Sequence, residues 1–184
     1  ALLIDVGANA DPKPEHLYQY GQMARVYAQQ VIGIEDPTVG LINIGEEEGK
    51  GSEFDKQAYQ LLQEKMPRFI GNVEPNKLFL GKADCIVCSG FVGNVIIKTA
   101  EGVLEGASVV LKREIKKKPF AILGALLMKG ALKDVKKHVD YSEYGGAPLL
   151  GVNGIVMKSH GRSSPKAIRN AIRAAMREVE HNIL

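Results

Sequence analysis

Short apolar runs that break at glycine or charged loops alternate along this chain with longer stretches in which apolar residues recur at helical spacing. The first run predicts a strand over about 2–6, followed by the loop G-A-N-A-D-P-K-P and a helix over about 15–32 that Pro14 starts and Gly33 stops. A second strand is expected over Thr38 to Ile44. The loop G-E-E-E-G-K-G-S then leads into a helix over about 53–65, and a short strand follows near Arg68 to Gly71. The β-branched run Cys85 to Cys88 reads as a buried strand that breaks at Ser89-Gly90, and an amphipathic pattern begins at Gly93-Asn94 and runs through Lys98. Near the end, Gly154 to Lys158 reads as a strand. Ser164-Pro165 caps a last helix that carries Ile168, Ile172 and Val179 on one face.

Strand and helix in alternation predict an α/β fold in three layers, a mostly parallel sheet with helices on both faces, with ligands at the carboxyl ends of the strands. At 184 residues the chain has room for one sizeable core, or one domain and part of another. It opens inside an apolar strand with neither a Met nor a basic leader, so the expectation is a single α/β fragment, 1–184, lacking its upstream half.

Two loops at strand ends carry the candidate chemistry. A strand, a glycine turn and a helix N-terminus at residues 85–94 are expected to leave unpaired backbone N–H groups in a field made positive by the helix dipole, which suits an anion such as phosphate. Asn94 and Lys98, four apart, share one helix face there. Glycine and asparagine at such a turn also serve as caps alone, and the Walker A pattern is absent. The second loop, Gly45 to Gly51, reads either as a solvated acidic turn or as a mount for Lys50. The flanking Gly49 and Gly51 would give that lysine a mobile backbone for reaching over an anion.

Cys85 and Cys88 form a C-x-x-C, but on a strand an offset of three sends the thiols to opposite faces, and no second Cys or His pair follows. They are expected to be buried structural residues. His160, in S-H-G after the last strand, is either a hydrogen-bonded structural group or a catalytic one on the same sheet edge as Asn94. His16, His138 and His181 show no ligand spacing, so no metal site is expected.

Composition adds one feature. The total charge is +3, yet residues 112–137 hold nine Lys/Arg against Glu114 and Asp134, so the remainder is net acidic. The basic flanks enclose Pro119 to Met128, all apolar or glycine and too short to span a bilayer. Three readings stand: a basic amphipathic helical hairpin buried against a second copy, a surface that docks on anionic lipid or an acidic protein, and an ordinary core helix. With aromatic residues at 6% and none among the lysines, nucleic acid is not an expected partner. Two cysteines without a disulfide framework fit a reducing cytoplasm.

Six segments then run in order as L-I-D-V-G-A-N at 3–9, L-I-N-I-G-E-E-E-G-K-G at 41–51, F-I-G-N-V-E at 69–74, G-F-V-G-N-V-I-I-K-T-A-E-G at 90–102, Y-G-G-A at 144–147 and K-S-H-G at 158–161. In these the chain resembles the PlsX-type phosphate acyltransferases, which transfer a fatty acyl group from acyl-(acyl carrier protein) to inorganic phosphate. The resemblance implies a fold similar to the isocitrate and isopropylmalate dehydrogenases, a homodimer, no cofactor, and a peripheral place at an anionic membrane surface. It implies phosphate contacts from Asn94 and the 90–94 backbone, phosphate or oxyanion contact from Lys50, supporting charge from Lys98, and a proton or hydrogen bond from His160 to the departing thiolate. Gly7, Asn9, Gly90, Gly93, Gly145 and Gly146 fall in the same motifs, and Ser89 directly before one of them, as phosphate- or substrate-binding positions. One departure is that the family usually has Asp before G-F-x-G-N, where this chain has Ser89. The rival expectations are a nicotinamide-dependent dehydrogenase of the same fold and a non-catalytic dimerisation and membrane-docking fragment.

Overall fold

The computed structural model describes residues 1–139, 145–161, 163–181 and 183. It divides into two compact units, Ala1–Ile97 with the extreme C-terminal residues, and Lys98–Glu180.

The first unit is built on four strands, β1 (Leu2–Ile4), β2 (Val39–Ile42), β3 (Phe69–Val73) and β4 (Cys85–Val87), in the order β1-β4-β2-β3. Every pairing is parallel: Leu2 lies opposite Cys85, Gly40 opposite Ile86, and Leu41 opposite Asn72. The central strands β2 and β4 are buried along their whole length, as strands covered on both faces must be. Their side chains alternate between two cores. Val39, Leu41, Cys85 and Val87 pack with Leu17, Ala24, Ala58 and Leu62 of helices α1 (Pro14–Tyr27) and α2 (Glu53–Lys65). Ile42, Ile86 and Cys88 pack with Val73, with Leu78 of a 3-10 helix at Pro75–Leu80, and with Val92 and Ile96 of helix α3 (Gly90–Lys116). Helices therefore cover both faces, as the alternation predicts.

The local signals act where the sequence places them. Pro14 takes the first position of α1, which a π-turn at Ala28–Ile32 extends until Gly33, at φ +82°, stops it. At α2 the Ser52 hydroxyl accepts from the Asp55 N–H, and the Asp55 carboxylate accepts in return from the Ser52 N–H, a reciprocal capping box.

Beyond Gly90 the predicted alternation fails, because three helices follow one another: α3, α4 (Pro119–Leu127) and α5 (Lys129–Val139). The basic segment is thus the end of one helix and two short helices, broken at Lys118-Pro119 because proline fits only a helix start. None of the residues of α4 is buried, and Phe120 and Leu127 are 89% and 82% exposed, so a core helix is ruled out within this chain. The side chains of Lys136 and Lys137, like His138, lie outside the described ones.

The expected strand Gly154 to Lys158 shortens to β6 (Met157–Lys158), which pairs antiparallel with β5 (Ala147–Pro148) in a separate two-stranded sheet. Helix α6 (Pro165–Glu180) buries Ala167 and Ala171, while Ile168, Ile172 and Val179 stay exposed. Gly145, at φ +84°, decides this. A Cβ there would lie 2.2 Å from the Ala171 nitrogen, so backbone packs on backbone along the small-residue face.

Candidate functional site

The carboxyl ends of β1, β4 and β2 are consecutive on one edge of the parallel sheet, and the loops that leave them carry most of the candidates. The loop after β1 closes on Asp5, whose carboxylate accepts from the N–H groups of Gly7, Ala8 and Asn9 at 2.9, 2.9 and 2.7 Å. Only 7% of Asp5 is exposed, and a carboxylate so placed needs these donors. Asp5 did not stand out in the sequence. The signal was there, since an Asp followed by Val-Gly-Ala-Asn at a strand end can wrap its own backbone in an Asx-type turn.

The same loop is pressed onto the start of α3. The Asn9 carbonyl accepts from the Gly90 N–H at 2.9 Å, and the Cys88 thiol donates to the Asp5 carbonyl at 3.4 Å. A Cβ on Gly93 would sit 1.9 Å from that carbonyl oxygen, and one on Gly90 would sit 2.6 Å from the Asn9 carbonyl oxygen. Gly7, at φ +126°, needs its left-handed backbone; a Cβ there would lie 3.7 Å from the Cβ of Asn94. Gly7, Asn9, Gly90, Gly93 and Asn94 are therefore one constellation, with Asn94 exposed at its surface.

Ser89 is the cap of α3: its hydroxyl accepts from the Val92 N–H at 3.3 Å and its carbonyl from the Gly93 N–H at 2.9 Å. The expectation of unpaired N–H groups at this turn is corrected for three of the four amides that open α3. The amides of Gly90, Val92 and Gly93 are engaged within the chain, and Asn94 is exposed one residue further along the helix.

Lys50 is exposed, and its backbone is hydrogen-bonded on both sides. Its N–H donates to the Glu47 carbonyl at 3.1 Å, and its carbonyl accepts from the Asn43 side chain at 3.0 Å. Gly51, at φ +89°, is wedged so that a Cβ would lie 2.7 Å from both Asn43 Oδ1 and the Asp55 side chain. Glycine serves close approach at Gly51, whereas a Cβ on Gly49 would meet nothing within 4 Å. Glu46, in the same loop, pairs with Lys77 and Lys82, and the hydrogen bond from Lys77, then that from Lys82, holds its carboxyl down at about 2. Periodicity revealed none of these partners, because they join residues some thirty positions apart.

The remaining candidates lie in the second unit. The Lys98 ammonium is paired with Glu101 at 2.7 Å. His160 is exposed and follows β6, so its supposed place on the sheet edge of Asn94 is corrected: β6 is not a strand of that sheet. Gly145 is buried against α6. Gly146 lies beside β6, where a Cβ would be 2.8 Å from the Lys158 carbonyl oxygen, so packing accounts for both glycines. Tyr144 is outside the described residues. Among the described residues no group of three or more His, Cys, Asp or Glu is placed to hold a metal ion.

Cys85 and Cys88 face opposite cores, as the strand period requires. Burial pushes their thiols up to about 11 and about 12, so neither supplies thiolate near neutral pH. Cys85→Ser and Cys88→Ser are each expected to lower the melting temperature, because a hydroxyl would replace a thiol in an apolar core. Unchanged melting of both variants would overturn this.

A parallel sheet covered by helices on both faces, with a glycine-bound helix start and a hydrogen-bonded lysine loop on neighbouring strand ends, defines a class: the parallel α/β proteins. Within that class, the chain belongs to the family described as fatty acid synthesis protein, whose model matches residues 1–184. It is 52% identical over 182 residues to a phosphate acyltransferase of Campylobacter hominis, covering 99% of this chain and 55% of that one. It is 53% identical over 184 residues to one of Desulfitobacterium hafniense, covering 100% and 55%, and 51% identical over 183 residues to one of Heliobacterium modesticaldum with the same coverage. The chain spans about half the length of the curated relatives it matches.

Proposed function

We propose that this chain forms part of a phosphate acyltransferase that moves a fatty acyl group from an acyl-(acyl carrier protein) thioester to inorganic phosphate, giving acyl phosphate for phospholipid synthesis. The observation that carries the reading is the match to phosphate acyltransferases at about half identity across the whole chain. The Asp5–Asn94 constellation and the pinned Lys50 loop lie within the matched span and support it.

Phosphate is a weak nucleophile in water, so the protein's task is to fix it against the thioester carbon and to stabilise the charge that develops on the carbonyl oxygen. Asn94 donates to a phosphate oxygen at the positive end of α3, with Gly7, Asn9, Ser89, Gly90 and Gly93 shaping the floor. Lys50 contacts phosphate or the oxyanion. A phosphate oxygen bonds to the acyl carbon, the carbon–sulfur bond breaks, and the thiolate leaves to take up a proton. His160 delivers that proton and Lys98 adds positive charge; these two assignments, with Gly145 and Gly146, rest on the shared motifs alone. No step requires a cofactor or an acyl-enzyme. The test is an assay of the full-length protein with acyl-carrier thioester and phosphate. Acyl phosphate without nucleotide reduction is expected, whereas nucleotide reduction without acyl phosphate would favour the dehydrogenase reading.

The basic segment extends the proposal to a cytoplasmic homodimer that meets the acidic carrier and an anionic membrane surface. Its support is Lys116, Lys117 and Lys118 preceding the exposed Phe120, Leu123 and Leu127. No helix among the described residues is long and apolar enough to cross a membrane. Each lysine near an anionic bilayer contributes on the order of 1 kcal/mol, so replacing the three with Glu is expected to abolish sedimentation with anionic vesicles. Unchanged sedimentation would leave this surface as a subunit contact.

A further inference from the structure

Two asparagines are buried where the apolar strands β2 and β3 end, Asn43 at 5% and Asn72 at 2% exposure. Their amides form a one-way chain of hydrogen bonds. The Ile44 N–H donates to Asn43 Oδ1 at 2.8 Å, Asn43 Nδ2 donates to Asn72 Oδ1 at 3.2 Å, and Asn72 Nδ2 donates to the Glu47 carbonyl at 2.8 Å. Asn43 Nδ2 also donates to the Lys50 carbonyl at 3.0 Å. Glu47 in turn accepts from the Lys50 N–H, so both peptide groups that flank the Lys50 side chain are tied, directly or through Glu47, to this pair.

A buried amide is costly unless all its strong hydrogen-bonding groups are used, and an apolar pair would fill the same space without that demand. What an apolar pair would lack is donors aimed at loop carbonyls. We infer that Asn43 and Asn72 are positioning residues that hold the 45–51 loop so that Lys50 is presented to the bound anion in one place. This rests on the reading of Lys50 as an anion contact. A long flexible ammonium stem loses less freedom on binding when its backbone is already fixed. Of the two, Asn72 is the informative one to change, because its side chain bonds the loop at Glu47, one step removed from Lys50.

The experiment is a double-variant cycle on the full-length enzyme, with acyl phosphate formation followed against phosphate concentration. Asn72→Ala is expected to lower kcat/KM for phosphate about tenfold, and to lower it less than about twofold further when Lys50 is already Ala. An equal loss in both backgrounds would mean that Asn72 acts on the fold at large and would overturn the inference. If Lys50→Ala is impaired and Asn72→Ala is not, the positioning role alone falls. If Lys50→Ala itself is unimpaired, the site reading falls first and takes this with it. Asn72→Asp keeps the shape and the acceptor for Asn43 and removes the donor to Glu47. It carries the same cycle, with the same expected outcome, should the alanine variant not fold. Amide hydrogen exchange on the folded variant is expected to quicken over 46–51 and not over β2 or β4, and uniform quickening would also overturn the proposal.

Discussion

Gly93→Ala is expected to be among the most damaging single changes in the first unit, despite adding one methyl group to a helix. A Cβ at this position would lie 1.9 Å from the Asp5 carbonyl oxygen and 3.1 Å from the Cys88 sulfur. The nearer atom is backbone, and the loop that bears it is held by three N–H bonds to the Asp5 carboxylate and by the Gly90–Asn9 bond, so it has no easy way to give. Overpacking of this kind against backbone costs about 3 kcal/mol or more, which for a chain of this size lowers the melting temperature by roughly 6–12 °C. Gly102→Ala is the matched control. It lies in the same helix with nothing within 4 Å of its Cβ position, so alanine there is expected to be neutral or to stabilise by up to about 1 kcal/mol. Equal melting temperatures for the two variants would show that the Asp5 loop does not pack on α3 as described.

Lys50→Ala and Asn94→Ala are each expected to lower acyl phosphate formation at least tenfold in the full-length enzyme. Loss of one preorganised contact to the charge of the transition state costs roughly 1.5 to 4 kcal/mol. Both side chains are exposed, so folding should change little, and circular dichroism and melting separate a catalytic loss from a structural one. Lys50→Ala removes the ammonium but leaves the Asn43 and Glu47 bonds to its backbone in place. Near wild-type rates in both variants would remove them from the site and leave the Asp5 constellation as packing alone.

Much of the first unit was legible in the sequence because its information is local. The period of two along Cys85–Cys88 separates the thiols onto opposite faces, Ser52 with Asp55 marks the start of α2, and Pro14 and Gly33 bound the first helix, each through bonds spanning a few residues. The candidate positions Gly7, Asn9, Gly90, Gly93 and Asn94 could be marked the same way, as small or polar residues at strand ends. Tertiary structure alone decided how they meet. Three amides at the start of α3 are taken by Asn9 and Ser89, the lysine loop is bonded by Asn43 and Asn72, and Glu46 finds Lys77 and Lys82. In the second unit, Gly145 packs closely on Ala167 and Ala171, so the small face of α6 lies inward and Ile168, Ile172 and Val179 stay exposed. Hydrophobic spacing reports which residues avoid water along one element. Hydrogen-bond partners and backbone approach depend on atoms brought together from distant parts of the chain, and for them the sequence of either partner holds no local signal.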